Sequence, residues 1–224
     1  MKGIVVVVVL CLALTAPVWA ENVISMPVAD HPGAGNAELH FIYWDLGGPP
    51  GPENGQISQF FVGVTDRLEI DLQNWKFQGL DSMNVVDGYY WLVKESPKHP
   101  SLVVGATNLF GEDLPPSPEG AGFDNRVSPF VIGAYNIGVP AGPPTLGDPL
   151  VRLYMGFGWR WHDNDPFGGL LFVVDPKVAL AVLNYQGQPA YLAAYKPTPR
   201  TEIHVGWFHG EPLVHLGWNF DLGF

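Results

Sequence analysis

Cysteine is nearly absent from this chain of 224 residues, and the single one, Cys11, lies within the first twenty. From Glu21 onward the chain can form no disulfide, no thiolate nucleophile and no cysteine metal centre. Basic residues are scarce as well: 11 Lys and Arg face 22 Asp and Glu, a formal net charge of −11. Nucleic-acid recognition leans on basic patches, so this balance excludes it. Beyond residue 20 no apolar run is long enough to cross a membrane as a helix, since Asp175 and Lys177 break the longest one. Amphipathic helical periodicity and internal repeats are also missing, which leaves one domain built from strands as the default.

The first twenty residues carry the features of a secretory signal. Lys2 supplies the charged start, Ile4 to Leu14 the apolar stretch, and Val18-Trp19-Ala20 a cleavage site before Glu21. A stretch of about eleven apolar residues is too short for a membrane helix. A lipoprotein would need a small residue before Cys11, and Leu10 stands there. The expected organisation is therefore a cleaved signal peptide at 1–20, a periplasmic leader at 21–35 and a β-domain at 36–224. Loss of Lys2 leaves ten basic residues against 22 acidic ones, a formal charge of −12.

What the chain has in quantity is glycine and proline, 27 and 22 residues, gathered between segments rich in Val, Leu, Phe, Tyr and Trp. Such punctuation marks many short strands. The last segment is the clearest. Val214, Leu216, Trp218, Phe220, Leu222 and Phe224 share one face, while His215, Gly217, Asn219 and Asp221 share the other. A period of two puts alternate side chains on opposite faces of a strand. A bulky apolar face ending in aromatics suits lipid, and a polar opposite face suits a lumen.

The full pattern predicts strands over 36–45, 56–64, 67–76, 84–94, 101–109, 127–136, 149–160, 167–174, 178–186, 190–196, 201–208 and 213–223. These make a closed antiparallel transmembrane β-barrel of about twelve strands, with ten or fourteen as neighbouring solutions. Parity supports twelve. If Phe224 ends at the periplasmic side, alternate connections are periplasmic turns, and four of those five are short. The two longest connections, Asp45 to Gly55 and Gly111 to Asn125, then face outward, as outer-membrane barrels prefer. The long proline-rich turn Gly138 to Gly147 departs from the rule.

Strand faces fit the same plan. Val151, Leu153, Met155, Phe157, Trp159 and Trp161 oppose Arg152 and Arg160; Leu68, Ile70 and Leu72 oppose Arg67, Glu69, Asp71 and Gln73; Ile203, Val205 and Trp207 oppose Glu202 and His204. The expected lumen lining is thus Arg67, Glu69, Asp71, Gln73, Arg152, Arg160, Glu202, His204, His215, Asn219 and Asp221. Trp159, Trp161, Trp207 and Trp218 are placed for an interfacial aromatic girdle.

In several short pieces the chain resembles small porin-like barrels of Gram-negative outer membranes, among them barrels associated with exopolysaccharide export. These pieces are Met26-Pro27-Val28-Ala29-Asp30, Gly63 to Glu69, Pro100 to Gly105, Arg152 to Gly158 and the terminal Gly223-Phe224. The resemblance implies location in the cell outer membrane, contact with its lipid and lipopolysaccharide, and assembly by the barrel-assembly machinery through Phe224. It carries over no catalytic residue and no cofactor.

Three functions fit this reading. A charged lumen makes a narrow porin-like channel for small polar solutes or ions, weakly cation-preferring because the outer loops are acidic. The same charges, paired with one another, make a plugged, non-conducting scaffold for a periplasmic or polysaccharide partner. A lipid hydrolase would need a serine beside a histidine; Ser128 with His162, and Asp163 or Asn164 as orienter, is the one pairing the pattern offers. The expectation is a channel without enzyme activity. His204, His209 and His215, with Glu202 and Glu211, match no metal motif, so no metal is expected.

Overall fold

The computed structural model describes residues 33–45, 54–78, 81–96, 98–110, 127–137, 150–159, 165–175, 177–185, 187–208 and 210–223. Among these residues the secondary structure is strand and turn, with no helix. The strands are β1 (Asn36–Asp45), β2 (Asn54–Gly63), β3 (Leu68–Phe77), β4 (Met83–Val93), β5 (Ser101–Thr107), β6 (Ser128–Ile137), β7 (Leu150–Gly158), β8 (Pro166–Asp175), β9 (Val178–Tyr185), β10 (Gln188–Thr198), β11 (Thr201–Phe208) and β12 (Glu211–Asp221). Each pairs antiparallel with its chain neighbours, and β12 returns to β1 to close a barrel of twelve strands. The seam runs without a break in register from Asn36↔Asp221 to Trp44↔Leu213. Closure satisfies every strand edge, which an open sheet in lipid would leave unpaired. The expected twelve strands are all present, each bounded within two residues of its predicted limits.

Local chemistry fixes the turns. Thr65 Oγ1 accepts hydrogen bonds from the backbone N–H groups of Arg67 at 3.1 Å and Leu68 at 3.0 Å, closing the β2–β3 turn. Asp175 Oδ1 accepts from the Lys177 N–H at 2.9 Å in the β8–β9 turn. Side chains that bond the backbone two residues on mimic a backbone turn and stop the strand. At the opposite rim, Gly187 and Gly210 take φ of 70° and 85°, a left-handed backbone that tight hairpins need. The three register shifts, at Trp91/Val93, Val173/Asp175 and Tyr195/Thr198, all fall at the rim that carries the chain termini. That rim is called the turn rim below, and the opposite one the loop rim.

The outward face is an apolar band. Phe41, Leu72, Leu102, Met155, Leu180, Tyr191, Val205, Trp207 and Val214 are all exposed on it. A continuous apolar exterior of this extent is costly in water and favourable in hydrocarbon. The fold is a closed β-barrel of the kind found in outer membranes. The expected signal peptide, most of the expected leader, the turn 138–147 and Phe224 lie outside the described residues.

The interior is filled. Every strand gives it at least one side chain no more than 5 % exposed: Ile42, Ile57, Asp71, Val85, Val103, Ile132, Tyr154, Leu171, Ala179, Ala190, His204 and His215, in chain order. The filling has two zones. Toward the loop rim, Ile42, Trp44, Ile57, Trp75, Phe77, Met83, Val85, Phe130, Phe167, Leu183, Leu192 and Leu213 hold the bulk of an apolar cluster that continues to the turn rim through Tyr89, Trp91, Ala134, Tyr154, Leu171 and Ala179. From mid-barrel to the turn rim, buried Glu38, His40, Glu69, Asp71, Asp87, Arg152, Lys196, Glu202, His204 and His215 point inward among fewer apolar groups.

Candidate functional site in the barrel interior

The polar half is densest at the seam, where three neighbouring strands converge. In the register of the sheet, His40 on β1 and Glu202 on β11 are both partners of Gly217 on β12. Glycine has no side chain, so the two meet across β12: a Cβ added at Gly217 would lie 2.6 Å from Glu202 Cγ. His40 Nδ1 lies 4.0 Å from Glu202 Oε1. One inward position nearer the loop rim, His204 on β11 pairs in register with His215 on β12, their ring centroids 4.4 Å apart. His215 Nε2 is 2.7 Å from His40 Nδ1, and His40 Nε2 is 3.2 Å from Glu38 Oε2. Lys196 on β10 sets its Nζ 3.3 Å from Glu202 Oε2. All of these side chains are buried.

A second constellation lies on β3 and β4. The Gln73 amide donates to Asp71 Oδ2 at 2.5 Å and to Asp87 Oδ2 at 2.8 Å, while its carbonyl accepts from the Trp75 indole at 2.7 Å. Asp87 Oδ1 accepts the Asn108 N–H at 2.9 Å. A third spans the opposite wall. Glu95, in the β4–β5 turn, folds inward so that its Oε2 meets Arg152 Nη1 at 2.5 Å and its Oε1 accepts the Asn136 N–H at 2.8 Å. The Arg152 guanidinium also donates to Asn136 Oδ1 at 2.8 Å and lies 5.3 Å from the centre of the Tyr154 ring. Buried charge is tolerated where it is paired and hydrogen-bonded, as Arg152 and Glu95 are. Asp71 and Asp87, by contrast, share the neutral Gln73 amide, and Asp71 Oδ1 makes no hydrogen bond.

Of the residues expected to line the lumen, Glu69, Asp71, Gln73, Arg152, Glu202, His204 and His215 are inward and buried, and Asn219 is inward and half-buried. Two are not lumen groups. Arg67 is exposed in the β2–β3 turn, because β3 begins only at Leu68, and its guanidinium donates to the carbonyls of Trp91 and Leu92 at 3.2 and 3.1 Å. Asp221 is exposed at the last position of β12, where no further wall surrounds it, and its carboxylate caps the Gly223 N–H at 2.8 Å. Arg160 lies outside the described residues, as do His162, Asp163, Asn164 and His209. Ser128 is buried and its hydroxyl donates to the Trp159 carbonyl, an arrangement that anchors β6 to β7.

Sequence reasoning missed Glu38, His40, Gln59, Asp87, Glu95 and Lys196. On β1 both faces carry large apolar groups, with Ile42 and Trp44 inward and Phe41 and Tyr43 outward, so alternation alone does not fix the inward face. One signal was present. Glu38-Leu39-His40 repeats the Glu-x-His spacing of Glu202-Ile203-His204, and the two strands that carry it flank β12 on either side.

No protein-family model and no curated protein matches the chain. Among solved structures it is similar to an outer membrane channel from Pseudomonas putida F1, at 13% identity and a TM-score of 0.39, over 89% of this chain and 99% of that one. It is also similar to the N-terminal β-barrel domain of Pseudomonas aeruginosa OprF, at 11% identity and a TM-score of 0.26, over 84% of this chain and 99% of that one.

Proposed function

We propose that this protein is an outer-membrane barrel that does not conduct in its folded resting form, a structural or scaffolding element of the envelope. The observation that carries this reading is the interior: all twelve strands contribute a side chain at most 5 % exposed. A water-filled channel would expose the side chains that line it. The apolar cluster at the loop half adds a second obstacle, since apolar constrictions resist wetting. The apolar exterior favours insertion in lipid. A role without chemistry in the lumen fits Ser128, whose hydroxyl is committed to a backbone carbonyl.

A narrow channel is the second reading, favoured by the polar column of Glu38, His40, Glu69, Asp71 and Glu202 from mid-barrel to the turn rim. The two separate in a planar bilayer. Protein extracted in detergent and shown to be folded and inserted is expected to give no conductance steps above the bare membrane. Stable unitary steps with a cation-selective reversal potential would overturn the sealed reading and install the channel.

A further inference from the structure

The seam cluster has the composition and spacing of a metal site. His40, His215 and Glu202 each bring one ligand atom to within 4.8 Å of the others, and all three side chains are buried. Tetrahedral zinc with nitrogen and oxygen ligands at about 2.0–2.2 Å places ligand atoms roughly 3.4 Å apart. The observed separations bracket that value: 2.7 Å between His40 Nδ1 and His215 Nε2, and 4.0 Å between His40 Nδ1 and Glu202 Oε1. With the trio spread over 4.8 Å, side-chain adjustments of up to about 1.4 Å would bring all three separations to that spacing.

Two further observations point to a ligand. Buried Glu202 Oε1, the carboxylate atom nearest the imidazoles, makes no hydrogen bond. Such polar groups in a closed interior are costly unless something satisfies them. In addition, Glu38 Oε2 sits 3.2 Å from His40 Nε2, the ring nitrogen that faces away from the cluster. A carboxylate on the far nitrogen holds the imidazole with its other lone pair aimed at the ion, the usual support behind a metal-bound histidine. His204 Nε2 lies 3.7 Å from Glu202 Oε1, beside the trio.

We propose that His40, His215 and Glu202 bind one divalent transition ion of the zinc class, supported by Glu38. Imidazole and carboxylate together suit zinc and its neighbours better than calcium or magnesium. The ligands come from β1, β12 and β11, so the ion ties the first strand to the last two. Its role is a staple on the seam that closes the barrel.

The test refolds the denatured full chain into detergent with Zn²⁺ or with chelator, so that the sealed interior is loaded during folding. Metal is counted after gel filtration, and folding is followed by circular dichroism and by the gel mobility of the unheated barrel. One zinc per folded chain is expected, with visible bands of four-coordinate geometry when Co²⁺ replaces it. His40→Gln and Glu202→Gln should fold and lose the metal. Glu38→Gln, the milder change, should weaken binding by about 10- to 100-fold. His99→Ala, in the exposed β4–β5 turn, should bind as the parent does. Folded parent protein without stoichiometric zinc would overturn the proposal, as would unchanged binding in folded Glu202→Gln and Glu38→Gln.

Discussion

The two halves of the barrel interior are built by the same twelve strands yet filled differently: apolar groups dominate at the loop half, and buried charges join them at the turn half. At the loop half, large apolar side chains interlock: Trp44 meets Phe77 edge to face with ring centroids 6.0 Å apart, and Trp75 stands 6.0 Å from Phe77. From the middle to the turn rim buried charged and polar groups share the space with the rest of the apolar cluster, Tyr89, Trp91, Tyr154 and Leu171 among it. The apolar filling is non-directional and gains from every contact. The polar filling depends on each partner being present, because a buried charge left alone is heavily penalised. Removal of a group should therefore cost in proportion to volume at one end and in proportion to lost partners at the other.

The largest effect is expected where volume is greatest. Truncating a buried aromatic to alanine costs about 3–5 kcal/mol, so Trp44→Ala and Phe77→Ala should each destabilise the barrel by roughly that amount. Being in contact, they should not add: the first cavity relieves part of the second cost. Denaturant unfolding of the two singles and the double, followed by tryptophan fluorescence and gel mobility, reads both numbers. Additive losses would mean that the loop half is not one packed unit.

The polar half should behave differently. Arg152→Met removes the cation that Glu95 folds inward to meet, and leaves that carboxylate with only the Asn136 N–H. Breaking a buried pair costs about 3–5 kcal/mol, but these side chains are 11% and 19% exposed, so about 2–3 kcal/mol is expected. Arg152→Met combined with Glu95→Gln should recover part of the loss, since no unpaired charge remains. A double variant weaker than Arg152→Met alone would show that packing, not charge pairing, governs this wall.

The two halves were also unequally legible in the sequence. Strand number and limits followed from alternation and from glycine and proline punctuation, because both are local. The inward faces of β3, β7, β11 and β12 were readable where one face was polar and the other apolar, as with Glu69, Asp71 and Gln73 against Leu68, Ile70 and Leu72. The apolar half of the interior was not, because Trp75 and Phe77 extend the polar face of β3 as bulky aromatics, and nothing in a period of two separates a lipid-facing ring from a lumen-facing one. The seam cluster was out of reach for a different reason. His40 and His215 are 175 residues apart, and only closure of β1 on β12 makes them neighbours. Arg67 and Asp221 went astray at strand ends, where a shift of one residue moves a side chain out of the lumen.

The smallest expected effect sharpens the contrast within the turn rim itself. Lys94 and Asp66 form an ion pair there at 3.6 Å, one residue along the chain from Glu95, with side chains 51% and 76% exposed. Water and salt already solvate both partners, so neither is stranded when the other is removed. Lys94→Ala should change stability by less than about 0.5 kcal/mol. Glu95 and Lys94 thus place opposite demands on adjacent positions of one turn: a charge turned inward must keep its partner, and a charge turned outward need not. Comparable losses for Lys94→Ala and Arg152→Met in the same unfolding assay would remove burial as the cause of the difference. The polar half would then have to be described as a rim of surface charge rather than as part of the filling.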